Sequence, residues 1–225
     1  MAGTNSSGRR NEKNGWTCVL GVDPAAAGPT GYGIVESDGR RCRMLHYGAL
    51  KVAAKRQKKY AGAALRDVHA LLCRLIKEFS PDAVAVESVF TALNMRTALR
   101  LAEVRGVVLL AAAQHSLDVH SYAPREVKAI IAGNGHADKK QMQMMVRALL
   151  SMEETPEPSH AADALAVALC HLQAEQTRRR FGLPDVDRSV KTRAFPAAVG
   201  STALPKENGR RGATRGELPR IVSMR

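Results

Sequence analysis

The sequence has no apolar stretch that approaches the roughly 18 residues of a membrane-spanning helix. Its first fifteen residues, MAGTNSSGRRNEKNG, contain no apolar run, which argues against a secretory signal. Cysteine is scarce: there are four, with no Cys-x-x-Cys pair, so we expect reduced thiols and no zinc centre. Together these absences predict a cytoplasmic protein without a membrane anchor.

Acidic residues are outnumbered, and the formal net charge is +13 at pH 7. The excess is concentrated at the ends, because residues 175–225 hold 12 Lys or Arg against 5 Asp or Glu, and residues 1–15 hold 3 against 1. A basic tail attracts any polyanion, and a solvated tail without a binding role has the same composition. We predict a disordered extension (1–15), one folded domain (16–176) and a basic, disordered tail (177–225).

Between these ends, hydrophobic patterning predicts five strands and several helices. The first three strands, from WTCVLGVDP to Leu50, are joined by short turns and predict an antiparallel meander. Parallel strands are predicted for DAVAVES and for Leu117–Tyr122, because each of these segments comes after a segment with helical periodicity. Further helices follow, the last from Pro158 to about Gln176. The order predicts an α/β fold, a mixed five-stranded sheet with helices on both faces, which is the element order of the RNase H-like fold.

Three acidic residues occupy positions that an apolar pattern should exclude. Asp23 ends the first strand, Glu87 ends the fourth, and Asp163 lies on the last helix one turn after His160. The first and fourth strands can be neighbours in a mixed sheet. A helix packed across their ends can present His160 and Asp163 together, because residues three apart share a helix face.

Clustered carboxylates repel one another unless cations neutralise them. One or two Mg²⁺ ions are the simplest explanation, since Mg²⁺ prefers oxygen ligands and can bridge to a phosphate. In this interpretation Asp23 bridges two ions, Glu87 binds one, and the His160/Asp163 pair binds the other.

Each residue also has a structural interpretation. Asp23 before Pro24 is typical of a turn, and Glu87 of a solvated strand end. Asp163 fits a paired position on an exposed helix face, and a single histidine such as His160 is more often structural than a ligand. Only the convergence of the three acids by topology favours a metal site.

Five segments together resemble the RuvC Holliday junction resolvases. In the family's order they are GVDPAAAGPTGYGIVE, AVAVESVF, TALRLAEVRGVVLLAA, REVKAIIAGNGHADKKQMQMMV and SHAADALAVALCH, which span about residues 16–174. The resemblance implies a homodimeric, Mg²⁺-dependent endonuclease that nicks two opposing strands of a four-way DNA junction during recombination and repair. It implies two ions per subunit, with Mn²⁺ as a substitute, and the RuvA and RuvB branch-migration proteins as partners. It places Asp23, Glu87, His160 and Asp163 in the active site.

The same resemblance implies residues that contact DNA. Phe90 would stack on an unpaired base, with core packing as the alternative. Lys128 and Lys139 resemble lysines that approach the cleaved backbone. Weaker candidates for phosphate contacts, for which a solvated surface charge is the alternative, are Arg105, Arg125, Lys140 and Arg147. The small-residue helix Asn94–Ser116 is predicted to supply the dimer interface.

The sequence departs from the family pattern at a few positions. His160 stands where many members carry Asp, and Ala25 stands where Gly is usual. The tail beyond about Gln176 is longer and more basic than is typical of the family, so the resemblance implies nothing about it.

Two other classes of protein fit parts of the pattern. Actin-like and sugar-kinase-like phosphotransferases also open with a strand that ends in Asp and a Gly/Thr turn, as in Asp23–Gly31, but they need two duplicated domains and a second phosphate loop. A DNA-binding protein with degenerate acids is the other alternative, and the retention of all four site positions argues against it. A nuclease assay with and without Mg²⁺ distinguishes the three.

Overall fold

A computed structural model of the chain describes residues 15–24, 29–50, 62–88, 94–183 and 189–190. Ala25, Phe90, the predicted extension up to residue 14 and the tail beyond residue 190 lie outside these ranges. Within them, no helix is long and apolar enough to cross a membrane.

The described part of the chain forms one mixed sheet and five helices. The strands are β1 (Thr17–Asp23), β2 (Thr30–Ser37), β3 (Cys42–Leu50), β4 (Ala83–Glu87), β5 (Asp118–Tyr122) and β6 (Ser189–Val190). The helices are α1 (Ala63–Phe79), α2 (Met95–Gln114), α3 (Pro124–Ala132), α4 (Lys139–Leu149) and α5 (Ser159–Phe181).

The strand order is β3-β2-β1-β4-β5-β6. Strands β1 to β3 form the predicted antiparallel meander, and β4 and β5 run parallel to β1. The mixed sheet of five strands is therefore confirmed. The sixth strand has only two residues, which is too short for a hydrophobic period to predict.

Helix α5 extends beyond its predicted end at Gln176 to Phe181. The apolar pattern ends earlier, but Glu175 forms ion pairs with Arg178 and Arg179 along the helix, and Gly182 ends it in a left-handed conformation. The predicted boundary between domain and tail, after residue 176, therefore falls inside this helix.

The alternation of side chains along the strands puts both strand-end acids on one face of the sheet. On β1, Leu20 and Val22 face the core under α1 and α2, whereas Val19 faces the core under α5. Because successive side chains point to opposite faces, Asp23 lies on the α5 side. The same alternation on β4 places Glu87 on that side.

Glycines on β1 and β2 let α5 lie directly against the sheet. A Cβ added to Gly31 would lie 1.9 Å from the carbonyl oxygen of His160, and one added to Gly21 would lie 2.1 Å from that of Ala164. These are backbone atoms, so no side-chain rotation relieves the overlap. The first turns of α5 can therefore reach the end of β1 only because these positions have no side chain.

We predict that Gly31→Ala lowers the free energy of unfolding by about 3 kcal/mol, because overpacking against backbone forces α5 away from the sheet. Urea denaturation measures this change. Gly48→Ala on β3 is the matched control: a Cβ there would lie 2.7 Å from the Tyr32 hydroxyl, the far end of a side chain that can move aside, so the cost should be smaller. Equal effects of the two substitutions would contradict the close-packing argument.

Candidate active site

The first turn of α5 and the last residue of β1 bring three predicted site residues together. The His160 imidazole lies with its Nδ1 2.8 Å from the Oδ2 of Asp23. One ligand atom from each of Asp23, His160 and Asp163 lies within 4.8 Å of the others. Asp23 is buried, whereas His160 and Asp163 are partly exposed, so the cluster opens to solvent on the helix side.

Glu87 lies beside Asp23 at the end of the neighbouring strand. Val22 pairs with Val86 in the parallel ladder, so the next residues along the two strands, Asp23 and Glu87, are adjacent. The two carboxyl groups are close enough to share a hydrogen bond, which requires one proton between them. The structure thus brings all four predicted residues to one edge of the sheet.

The cluster is electrostatically unfavourable without a cation. Burial, and then the charges of Asp23 and Asp163, raise the pKa of Glu87 to about 7. Burial is also the main cause that raises the pKa of Asp23 and of Asp163. Carboxyl groups with raised pKa values in a partly open cluster are characteristic of a site that binds a positive charge.

Two lysines partly offset this negative charge. Lys128 on α3 lowers the pKa of both Glu87 and Asp163, and Lys139 at the start of α4 lowers that of Asp163. Lys139 is exposed and Lys128 partly so. Both ammonium groups are therefore placed to approach an anion that docks at the carboxylates.

Among the residues that the structure describes, the other predicted DNA contacts lie outside the carboxylate cluster. Arg125, Lys140 and Arg147 are exposed on α3 and α4, and Phe90 is outside the described residues. Arg105 faces inward from α2, where it donates a hydrogen bond from Nη2 to the Ser121 hydroxyl at 2.8 Å. Its placement favours a structural contact with β5 over a contact with phosphate.

A buried pair that the sequence pattern did not predict ties α5 to the sheet. The Tyr122 hydroxyl lies 2.8 Å from Nδ1 of His171, and both residues are buried. Tyr122 pairs with Glu87 in the β4–β5 ladder, and His171 lies three helical turns after His160 on the same face of α5. The spacing of eleven residues between the two histidines was the available signal in the sequence.

The proton arrangement in this pair follows from its neighbours. Arg178 also reaches the Tyr122 oxygen, and a guanidinium can only donate, so the hydroxyl proton points to His171. Nδ1 of His171 is then an acceptor, and the ring is neutral. Burial, and then the charges of His120, Arg178 and Arg179, lower the pKa of His171 to about 3.

Comparison with known proteins agrees with the fold. The sequence profile of the family described as crossover junction endodeoxyribonuclease RuvC matches residues 19–171. The enzyme of that name from Alkaliphilus metalliredigens is 42% identical over 163 residues, which cover 72% of this chain and 97% of the relative.

Solved structures with a similar fold include Thermus thermophilus RuvC in complex with a Holliday junction substrate. It is 35% identical, with a TM-score of 0.67, over 72% of this chain and 96% of that one. The yeast mitochondrial Holliday junction resolvase, at 16% identity and a TM-score of 0.53, shares the fold.

The mixed sheet and the acidic cluster at the ends of β1 and β4 define a metal-dependent nuclease of the RNase H-like class. Within that class, the chain belongs to the RuvC family of crossover junction endodeoxyribonucleases. The phosphotransferase and the catalytically inactive DNA-binding protein, the two alternatives left open by the sequence, are therefore not supported.

We predict that His171 makes the fold sensitive to acid. Its pKa is about 3 in the folded protein and about 6.5 when unfolded. Between these values only the unfolded chain takes up the proton, so stability falls as pH drops below about 6.5, by up to about 1.4 kcal/mol per pH unit. His171→Gln retains an acceptor for Tyr122 but cannot titrate, and its unfolding free energy should fall less between pH 7 and pH 4.5.

Chemical denaturation at several pH values measures this difference. His136→Gln makes the same substitution at an exposed position and is the control for the change of side chain. An identical pH dependence in His171→Gln and wild type would contradict the assignment of His171 as a buried neutral ring.

Proposed function

We propose that the chain resolves Holliday junctions by metal-dependent, symmetric nicking of two opposing strands during DNA recombination and repair. One structural observation carries the proposal: Asp23, His160 and Asp163 converge beside Glu87 at an open edge of the sheet. Its relatives support the substrate, since one of them was solved in complex with a Holliday junction.

The donor set fits Mg²⁺. Three carboxylates offer the hard oxygen ligands that Mg²⁺ prefers, and the imidazole adds one nitrogen ligand. Burial raises the pKa of all three carboxyl groups, so their ionised forms are unfavourable without a cation. Asp23, Glu87, His160 and Asp163 would hold the ions, two per subunit, and Mn²⁺ would substitute for Mg²⁺. When bound, such ions neutralise phosphate charge and lower the pKa of water.

The hydrogen bond to Asp23 orients the imidazole of His160. With Asp23 ionised, Nδ1–H of His160 donates to the Asp23 carboxylate, and this hydrogen bond fixes the ring. Nε2 then carries a free electron pair, which can bind a metal ion or accept a proton. Lys128 and Lys139, placed beside Asp163, attract and orient the scissile phosphate.

A homodimer is supported by an exposed apolar face on α2. Met95, Leu99 and Leu110 are 74%, 58% and 52% exposed, and helical spacing places them in one stripe with the small residues Ala102 and Gly106. The opposite side of α2 is buried against the sheet. A two-fold dimer through this stripe would present two equivalent sites to a four-way junction, whose opposing strands are equivalent.

The remaining expectations rest on the family resemblance. It supports cooperation with RuvA and RuvB, and action on chromosomal DNA in the cytoplasm. Phe90, Arg125 and Lys140 stay candidates for DNA contact.

Removing any of the three carboxylates should abolish cleavage while junction binding persists. Asp23→Asn, Glu87→Gln and Asp163→Asn each remove a metal ligand and should slow cleavage at least about a hundredfold. Binding should persist because these groups hold metal and repel phosphate. Single-turnover cleavage of a synthetic four-way junction in Mg²⁺, together with gel shifts in Ca²⁺, measures both effects.

Two further substitutions act as controls for this prediction. Asp118→Asn removes an exposed carboxylate at the opposite end of the sheet and should leave cleavage unchanged. His160→Asp should retain activity, because aspartate can ligate from the same position, whereas His160→Ala should lose most of it. Wild-type rates in any of the carboxylate variants would overturn the assignment.

The apolar stripe on α2 predicts a second outcome. Leu99→Glu should convert a dimer to a monomer in sedimentation equilibrium, because a desolvated carboxylate opposes burial of the stripe. Met144→Glu changes an equally exposed apolar residue on α4, 51% accessible, and should leave the dimer intact. A dimer that survives Leu99→Glu would place the interface elsewhere.

A further inference from the structure

A second cationic surface lies at the end of the sheet opposite to the carboxylates. Asp23 pairs with Gly31 at one end of the β1–β2 ladder, and Thr17 pairs with Ser37 at the other. The hairpin turn after Ser37 carries Arg40 and Arg41, both exposed. It is therefore separated from Asp23 by the length of β1, about 20 Å.

Helix α5 reaches the same place. Its Gln176 donates a side-chain hydrogen bond to the carbonyl oxygen of Gly39 in the hairpin turn. Arg179 and Arg180 follow three and four residues later, on the helix face that Gln176 presents to the turn, and both are exposed. Four exposed arginines are thus within four residues, along the chain, of the two residues that form this contact. We call Arg40, Arg41, Arg179 and Arg180 the distal basic patch.

The acidic residues near the distal basic patch already form ion pairs or hydrogen bonds. Glu36 pairs with Arg43, and Glu175 pairs with Arg178 and lies 4.0 Å from Arg179. Asp38 accepts hydrogen bonds at 2.7 Å from the backbone N–H groups of Arg40 and Arg41. These contacts leave a surplus of positive charge at the surface of the patch.

The hairpin side of the patch is held in place. Backbone hydrogen bonds lower the pKa of Asp38, so it is ionised at neutral pH and closes the turn that presents Arg40 and Arg41. Arg43, in the same hairpin, lies with its guanidinium Cζ 4.6 Å from the centroid of the Trp16 ring and so packs the hairpin against Trp16. Planar guanidinium groups on an ordered support suit phosphate, because each can donate two parallel hydrogen bonds.

We propose that the distal basic patch binds the phosphate backbone of a junction arm away from the strand that is cut. The identity of the polyanion rests on the proposed function. Along α5, Arg179 lies 19 residues after His160, or about 28 Å, which corresponds to about eight base pairs of duplex. The patch would thereby orient an arm relative to the active site.

The test is the salt dependence of junction binding by the full chain, measured in Ca²⁺ by fluorescence anisotropy. Arg40→Ala/Arg41→Ala keeps the backbone N–H groups that Asp38 accepts, so the turn should persist. If two phosphate contacts are lost, the slope of log affinity against log salt should fall by up to about 1.8. The affinity ratio of wild type to variant should then grow by up to about twelvefold between 200 and 50 mM salt.

Arg66→Ala/Lys77→Ala is the matched control, because it removes two exposed cations from α1 on the other face of the sheet. It should leave the slope unchanged. Arg179→Ala/Arg180→Ala tests the helix side of the patch independently, and hydroxyl-radical footprinting should show lost protection about eight base pairs from the nick in both patch variants.

An unchanged slope in both patch variants, or an equal fall in the control, would overturn the proposal. The measurement needs no cleavage, so its outcome is separable from that of the proposed function. Failure of the wild type to cut junctions in Mg²⁺ would reject the nuclease assignment and would not alter the comparison of slopes.

Discussion

The contact between the backbone of α5 and the glycine-lined surface of β1 and β2 is the constraint on which the active site rests. Gly21 and Gly31 leave no room for a Cβ, so the helix can approach the strands at backbone distance. At that distance the His160 imidazole reaches the Asp23 carboxylate. A helix held farther away by a side chain would carry His160 and Asp163 out of reach of Asp23.

The same helix is fixed at two further points along its length. The Tyr122–His171 hydrogen bond ties its middle to β5, next to the strand that ends at Glu87. The contact from Gln176 to Gly39 ties its distal part to the β2–β3 hairpin. These contacts set the register of α5 on the sheet. The geometry of the carboxylate cluster is therefore supported by residues that take no part in the chemistry.

Electrostatics explains why such support is needed. Burial raises the pKa of Asp23, Glu87 and Asp163, and the charge of Asp163 raises those of Asp23 and Glu87 further, so the ionised carboxyl groups oppose the close packing. Lys128 and Lys139 lower the pKa of Asp163, and Lys128 lowers that of Glu87, which offsets part of this cost. Bound cations would neutralise the remaining negative charge and would attract the phosphate. A carboxylate cluster that is unfavourable in the free protein is therefore suited to binding its substrate.

The sequence was sufficient to predict the mixed sheet and the placement of Asp23 and Glu87, because strand alternation and the order of elements are local properties of the chain. It also predicted that His160 and Asp163 share a helix face. It did not predict that α5 continues to Phe181, since ion pairs rather than apolar spacing sustain its last turns. The Tyr122–His171 pair and the distal basic patch join residues far apart in sequence. Such contacts depend on how α5 lies across the sheet, and hydrophobic periodicity along the chain does not determine that packing.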